Sequence, residues 1–354
     1  MRTIDRRTFS KLITAGAAAA SVPVVTAAEA TAAPATAPGD RPAGHRPVVL
    51  PSADIAFGTL KRVDAGELEM AYVEAGPSDG PVAVLLHGFP YDVQSFSAVT
   101  PLLAEAGYRV IVPYLRGHGP TLFRSDRTFR NAQQAVVALD IMALLDALRI
   151  NRAVLAGFDW GSRTADIIAA LWPERCTALV SVSGYLVTNR EANASPLPPA
   201  AELAWWYQYY FATERGELGL TQYHHDFAKL IWTNVSPTWH FDDATFERTA
   251  ASFANPDWVP IVIHNYRWRL GLAPGDPRYD HLEKRLAGRP KIARPTIAID
   301  AAVDPFTAAP GDGSSYRDRF TGPYAHRRLE GIGHNVPQEA PAAFAQAVLD
   351  VTAL

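Results

Sequence analysis

The sequence predicts an α/β protein: a mostly parallel, doubly wound sheet of eight strands, interrupted by a helical cap. Three observations carry that expectation. Four short apolar runs, Val82 to Leu86, Arg109 to Pro113, Ala153 to Phe158 and Ala178 to Ser183, are near-continuous rather than alternating, as in parallel strands covered on both faces. Stretches of helical period lie between them, which calls for right-handed crossovers. From Tyr185 to about Arg289 the alternation breaks, and it resumes afterwards.

In chain order, residues 1–30 open with Arg2, Arg6, Arg7 and Lys11, run uncharged from Leu12 to Ala28 and end at Ala28-Glu29-Ala30, the layout of a signal peptide with an A-x-A cleavage site. The string Asp5-Arg6-Arg7-Thr8-Phe9-Ser10-Lys11-Leu12 resembles a twin-arginine signal, which addresses folded proteins for export. Cleavage near Ala30 is expected to leave an exported protein, periplasmic or secreted, with the twin-arginine export machinery as a transient partner. No stable membrane anchor should remain, because the apolar stretch is short for a span and rich in Ala and Thr. Residues 31–52 are Ala/Pro-rich without a period of 2 or 3.6 and read as a linker.

The body should comprise a core, 53–184 and 290–354, and a cap, 185–289. Ile55 to Val63 and Glu67 to Glu74 read as a hairpin turning at Asp64-Ala65-Gly66. Ala132 to Arg149 reads as a helix with Ala135, Leu139, Met142 and Leu145 on one face, and Ser162 to Trp172 as another, ended by Pro173. Thr296 to Ala301 and His326 to Leu329 read as the last strands and Gln338 to Val351 as the last helix. The interruption holds six of the eight tryptophans and seven tyrosines, and is too long for a loop. It therefore reads as a helical cap over the carboxyl ends of the strands, where open α/β sheets bind ligands. Its aromatic density also suits the core of a small helical unit.

Composition removes other classes. With 33 basic and 36 acidic residues in 354 and no Lys/Arg run, the chain has no nucleic-acid footprint. One cysteine, Cys176, cannot form an internal disulfide or a four-cysteine metal site. No H-E-x-x-H, Walker A or G-x-G-x-x-G string occurs, and His224-His225-Asp226 lacks a third ligand at a metal-site spacing. No cofactor or metal is expected.

The most informative string is Ala156-Gly157-Phe158-Asp159-Trp160-Gly161-Ser162, between a buried strand and a helix. Glycines around such a turn let it hold the central side chain up at the top of the sheet, as in G-x-S-x-G, but here the centre is Asp159. A carboxylate attacking an acyl carbon would give a reactive anhydride. On an electrophilic sp3 carbon it gives an ester that can be hydrolysed, so the substrate should carry a strained or polarised C–O or C–halogen bond. The competing reading is that Asp159 caps the helix. Hydrolysis needs a base and oxyanion donors. His334, in Gly331-Ile332-Gly333-His334-Asn335, is the candidate base and Asp304 the acid orienting it, with Asp300 and Glu191 as competing acids. The backbone N–H groups of Phe89 and Trp160 are the candidate oxyanion hole. His87 reads as structural.

These residues together resemble the α/β-hydrolase superfamily and, within it, the epoxide hydrolases, over about Phe57 to Leu349. The resemblance rests on His87-Gly88-Phe89-Pro90, Arg116-Gly117-His118-Gly119, Gly157-Phe158-Asp159-Trp160-Gly161, Asp304-Pro305 and His334 with Gln338-Glu339-Ala340-Pro341. In the cap, Trp206-Tyr207-Gln208-Tyr209-Tyr210-Phe211 and Asn265-Tyr266-Arg267 resemble the segments bearing the two lid tyrosines. The resemblance implies Asp159 as nucleophile, His334 as general base, Asp304 as its acid, and Tyr207 and Tyr266 as proton donors to the epoxide oxygen. Phe89, Pro90, Trp160 and Trp206 would line the substrate site, and the partners would be an apolar epoxide or organohalide and water. Tyr209 and Tyr210 stand close enough to compete with Tyr207. Ala301 where the family often has Gly, the stretch through Gly311-Asp312-Gly313, and Thr213-Glu214-Arg215-Gly216 depart from the pattern and bear on pocket shape.

Haloalkane and haloacetate dehalogenases share the Asp-Trp turn, the triad order and the cap. Phe89 leans away from the haloalkane enzymes, which often have Asn there. The haloacetate enzymes favour an arginine pair near the nucleophile, for which Arg163 is the one obvious candidate. A non-catalytic binding protein on the same fold is the alternative from another class.

Overall fold

The computed structural model describes residues 55–307 and 310–354. The expected signal segment and linker lie outside the described residues. The strands are β1 (Thr59–Ala65), β2 (Leu68–Ala75), β3 (Val82–Leu86), β4 (Arg109–Pro113), β5 (Leu122–Phe123), β6 (Ala153–Gly157), β7 (Cys176–Val182), β8 (Thr296–Ala301) and β9 (Tyr324–Leu329). They form one sheet in the order β1-β2-β4-β3-β6-β7-β8-β9, with β5 paired to β2. β1 and β2 form an antiparallel hairpin, β2 pairs antiparallel with β4, and every pairing from β4 to β9 is parallel.

Eight strands match the expectation, and β5 is a ninth of two residues, too short to leave an alternating pattern. β6 and β8 are buried at every position, which is why their sequences read as apolar runs. From β3 the chain first adds β4 on one side and later β6 on the other. That reversal is the topological switch point, and the carboxyl ends of β3 and β6 open the crevice beside it.

Three helices precede the cap: α1 (Val99–Glu105), α2 (Gln134–Ala147) and α3 (Trp160–Leu171). The apolar face expected for α2 is corrected. Ala135 and Leu145 are buried, but Leu139 and Met142 are half-buried, while Ala138, Ile141 and Leu144 are fully covered. Packing against α3 on one side and the hairpin on another rotates the buried stripe and widens it.

The cap between β7 and β8 consists of α4 (Pro199–Ala204), α5 (Trp206–Phe211), α6 (Glu214–Val235), α7 (Asp243–Ala250), α8 (Trp258–Arg269) and α9 (Asp280–Ala287). Its aromatic residues serve both roles considered for them. Trp232 stacks on Trp239 inside the cap and on Tyr91 of the core, with ring centroids 5.4 and 5.0 Å apart. A second tie is polar: the buried Asp92 carboxylate caps the turn at Gln94 and accepts the hydroxyls of Thr249 and Ser252 from the cap. Beyond β9 the expected single helix is two, α10 (Val336–Glu339) and α11 (Pro341–Asp350). Ala340, at φ −140° and ψ 58°, breaks it, as the residue before a proline tends to do. Among the described residues no helix is long and apolar enough to cross a membrane.

Candidate active site

The turn from β6 into α3 sets the geometry. Asp159 has φ 54° and ψ −125°, a left-handed conformation that non-glycine residues adopt only under constraint. The constraint is close packing: a side chain on Gly161 would run into the Leu86 carbonyl at the end of β3. Asp159 stands at the N-cap of α3, yet its side chain makes no capping hydrogen bond. Its Oδ1 instead accepts the backbone N–H of Phe89 at 2.8 Å, and its Oδ2 lies 3.5 Å from His334 Nε2. The helix-cap reading of Asp159 is thereby replaced.

His334 Nδ1–H donates to Asp304 Oδ2 at 2.8 Å, and Asp304 Oδ1 accepts the N–H of Phe306. The acceptor fixes the tautomer, so Nε2 is the nitrogen that faces Asp159. Asp300, the competing acid, is committed elsewhere: its oxygens accept Tyr316 Oη–H and pair with His326 Nε2. Glu191 is exposed and makes no bond to His334. His87 is buried and held by the Leu115 N–H and the Gly88 carbonyl, the structural role expected of it.

Charge follows geometry. Burial pushes the Asp159 carboxyl up, but the hydrogen bond and charge of His334, then Arg163 and the Phe89 N–H, hold it below the ordinary carboxylate range. Burial would lower His334, but the Asp304 charge and the hydrogen bonds to both carboxylates raise it to about 10. The resting pair at neutral pH is therefore carboxylate and imidazolium.

Two phenols stand over this pair. Tyr207 from α5 and Tyr266 from α8 are buried, with ring centroids 5.4 Å apart and edges to faces, and both rings flank Phe89. Burial raises both pKa values, reinforced at Tyr207 by Tyr266 and Asp159 and at Tyr266 by Asp159, while Arg269, the hydrogen bond with Tyr207 and Arg163 pull Tyr266 the other way; both phenols are neutral donors. Tyr209 is exposed and bonded to Glu202, and Tyr210 stacks on Phe227. Neither competes for the site. Phe89 and Trp160 stack at 5.8 Å and form one wall. The Pro90 carbonyl accepts Trp232 Nε1–H. Trp206 packs on Phe227 and lines a cavity of about 450 Å³ with Val235 and Pro305, whereas its neighbour Trp205 stacks on Phe306, whose ring abuts His334.

Sequence reasoning passed over several residues here. Trp205, Phe306 and Trp258 contribute through packing that no local pattern signals. Arg269 is the important one. Its guanidinium lies over Trp205 at 5.2 Å and over Tyr266 at 5.7 Å, and its Nε finds no hydrogen-bond partner. Arg163 is buried one turn after Asp159, its Nε donating to the Leu186 carbonyl, and burial and Arg269 lower its pKa to about 10. Neither arginine forms an ion pair with a carboxylate among the described residues. Arg269 lies within one turn of Tyr266 on α8 and close enough to Arg163 to act on its charge.

Among the described residues no group of three His, Cys, Asp or Glu could hold a metal. Cys176 is buried with its thiol pushed up to about 12 by burial.

Comparison with known proteins agrees with this architecture. A family model described as the alpha/beta hydrolase fold matches residues 81–268. A solved structure from Klebsiella pneumoniae, provisionally named an epoxide hydrolase, is 55% identical with a TM-score of 0.83, over 86% of this chain and 100% of that one. Epoxide hydrolase B of Mycobacterium tuberculosis is 33% identical over 150 residues, 39% of this chain and 41% of that protein. A haloalkane dehalogenase of Mycobacterium marinum is 34% identical over 154 residues, 40% of this chain and 50% of that protein. The chain thus matches half or less of the length of these two curated relatives. With a family model over more than half its length and a 55% identical relative covered end to end, this chain belongs to the α/β-hydrolase superfamily and is epoxide hydrolase-like.

Proposed function

We propose that the protein is an exported epoxide hydrolase that forms a covalent ester on Asp159. The observation that carries the reading is the placement of two neutral phenols over a carboxylate that is ionised, oriented and paired with an imidazolium. Asp159 attacks an epoxide carbon, the ring C–O bond breaks, and the oxygen takes a proton from Tyr207 or Tyr266. A phenol is ordinarily a stronger acid than the alcohol formed, which favours the transfer. The nearby charges of Arg163 and Arg269 favour the phenolate left behind.

Ester formation then changes His334. Neutralising Asp159 removes one of the two charges that hold the imidazolium, so the ring gives its proton to the phenolate, restoring the phenol, and becomes the base. It takes a proton from water, and hydroxide adds to the ester carbonyl carbon. The oxyanion is met by the N–H groups of Phe89 and Trp160. Collapse releases the diol oxygen, which takes the proton from His334. The proton on the regenerated Asp159 acid passes to His334, which restores the carboxylate and imidazolium, and the sum is epoxide plus water to vicinal diol.

A haloacetate dehalogenase is the second reading, favoured by one observation: Arg163, beside Asp159 and without a carboxylate partner among the described residues, with Arg269 close enough to lower its pKa, suits a substrate carboxylate. A departing halide, however, has no use for two proton donors. A substrate panel decides between them. Diol formation from styrene oxide-type epoxides without halide release from haloacetates is the expected result; halide release without epoxide turnover would overturn it. The reading of residues 1–30 as a twin-arginine signal is part of the proposal.

A further inference from the structure

His334 is held from both sides, and the second side belongs to the cap. The core supplies Asp304 to the imidazole, while the His334 backbone N–H donates to the Val235 carbonyl at 3.1 Å and to Ser236 Oγ at 3.0 Å. Val235 is the last residue of α6 and Ser236 its C-cap. Ser236 is buried, and its own hydroxyl donates to Glu339 Oε1 at 2.6 Å. Glu339 in turn accepts the N–H of Gly333 at 2.7 Å and of Asn335 at 3.1 Å, so one carboxylate brackets the histidine. Thr238 Oγ1–H adds a bond to the Gly331 carbonyl. The approach is too close for a side chain, since a Cβ on Gly333 would lie 2.5 Å from Ser236 Cα. One turn earlier on α6, Trp232 donates to the Pro90 carbonyl, next to the Phe89 oxyanion donor.

We propose that the carboxyl end of α6, acting through Ser236 and Glu339, positions His334 and makes its work as a base depend on the cap being seated. The inference rests on the covalent two-step reading above. A buried N–H deprived of its acceptor must find another, so lifting α6 leaves the His334 N–H and the Gly331–Asn335 loop to rearrange. Ring opening uses Asp159 and the two phenols and needs no movement of His334. Ester hydrolysis requires Nε2 aimed at a water beside the ester, and a displacement of about 1 Å at such a centre costs on the order of a hundredfold. Ser236 and Glu339 are therefore positioning residues whose loss should fall on the second step alone.

The test is single-turnover kinetics with the two steps resolved, following the ester on Asp159 by mass spectrometry in wild type, Ser236→Ala, Ser236→Thr and Glu339→Gln. Ser236→Ala and Glu339→Gln should form the ester within about twofold of the wild-type rate and hydrolyse it ~10- to 100-fold more slowly, so that the ester accumulates. Ser236→Thr keeps the hydroxyl and should restore most of the hydrolysis rate. A purely structural role would slow both steps together, and that result, or unchanged hydrolysis in both variants, overturns the proposal. If Ser236→Ala does not fold, Glu339→Gln carries the test alone. Wild-type protein that forms no ester from an epoxide or a haloacetate defeats the covalent reading itself, and that shows in the control before any variant is read.

Discussion

At the scale of single residues, the site divides labour by charge. In the proposed reaction Asp159 acts as nucleophile because it is ionised, and His334, Arg163 and the Phe89 N–H together hold it so. Asp159→Asn should lower turnover by ~10⁴-fold or more, the size of loss when one member of a catalytic set is removed. It should also lower the His334 pKa from its raised value, which 15N NMR of the imidazole reads directly. The phenols should separate from His334 in the opposite sense to Ser236. Tyr207→Phe and Tyr266→Phe should each slow ester formation by ~10- to 100-fold, the range of a positioned general acid, and leave ester hydrolysis close to wild type. Equal losses in both steps would make the tyrosines walls of the pocket rather than acids.

Among the elements, the β6–α3 turn was legible because its chemistry is local: a buried run, two glycines and a polar centre within seven residues. Asp304 and His334, which the structure brings together, were legible for a similar reason, each lying in the loop after a strand. Gly161→Ala puts a methyl against the Leu86 carbonyl and should destabilise the protein by more than ~3 kcal/mol, measured by urea unfolding. A fully stable, active Gly161→Ala would mean that the turn is not held as described. What was not legible depends on the third dimension. The buried face of α2 was misjudged because three neighbours cover it, and α1 and β5 are too short for a period to register. Arg269, Trp205 and Ser236 act across tens of residues in sequence, and nothing beside Trp205 distinguishes it from Trp206. The order of the two arginines matters here, since Arg163 sits in a motif and Arg269 only in a fold.

For the whole molecule, the coupling of Asp159 and His334 has a pH signature. The His334 pKa lies above its unfolded value near 6.5, so its contribution to stability is complete below that pH and fades as pH rises toward about 10. Asp159 is depressed, so its contribution is present above the ordinary carboxylate range and fades as pH falls through it. The stability difference between wild type and Asp159→Asn should therefore shrink between about pH 6.5 and 10. Denaturant curves at a series of pH values check this, and a difference that grows over the window contradicts the pairing. The proposed twin-arginine export makes a separate prediction: replacing Arg6 and Arg7 together by lysine should keep the precursor inside the cell, as a fractionation would show. Under that proposal the chain folds before export and relies on a large α/β core rather than disulfides, with which its single buried cysteine is consistent. The central claim is that Asp159 becomes an ester, and single turnover in 18O-labelled water tests it most directly. One cycle on an epoxide should place 18O in the Asp159 carboxylate, whereas normal diol formation with an unlabelled Asp159 would contradict the account.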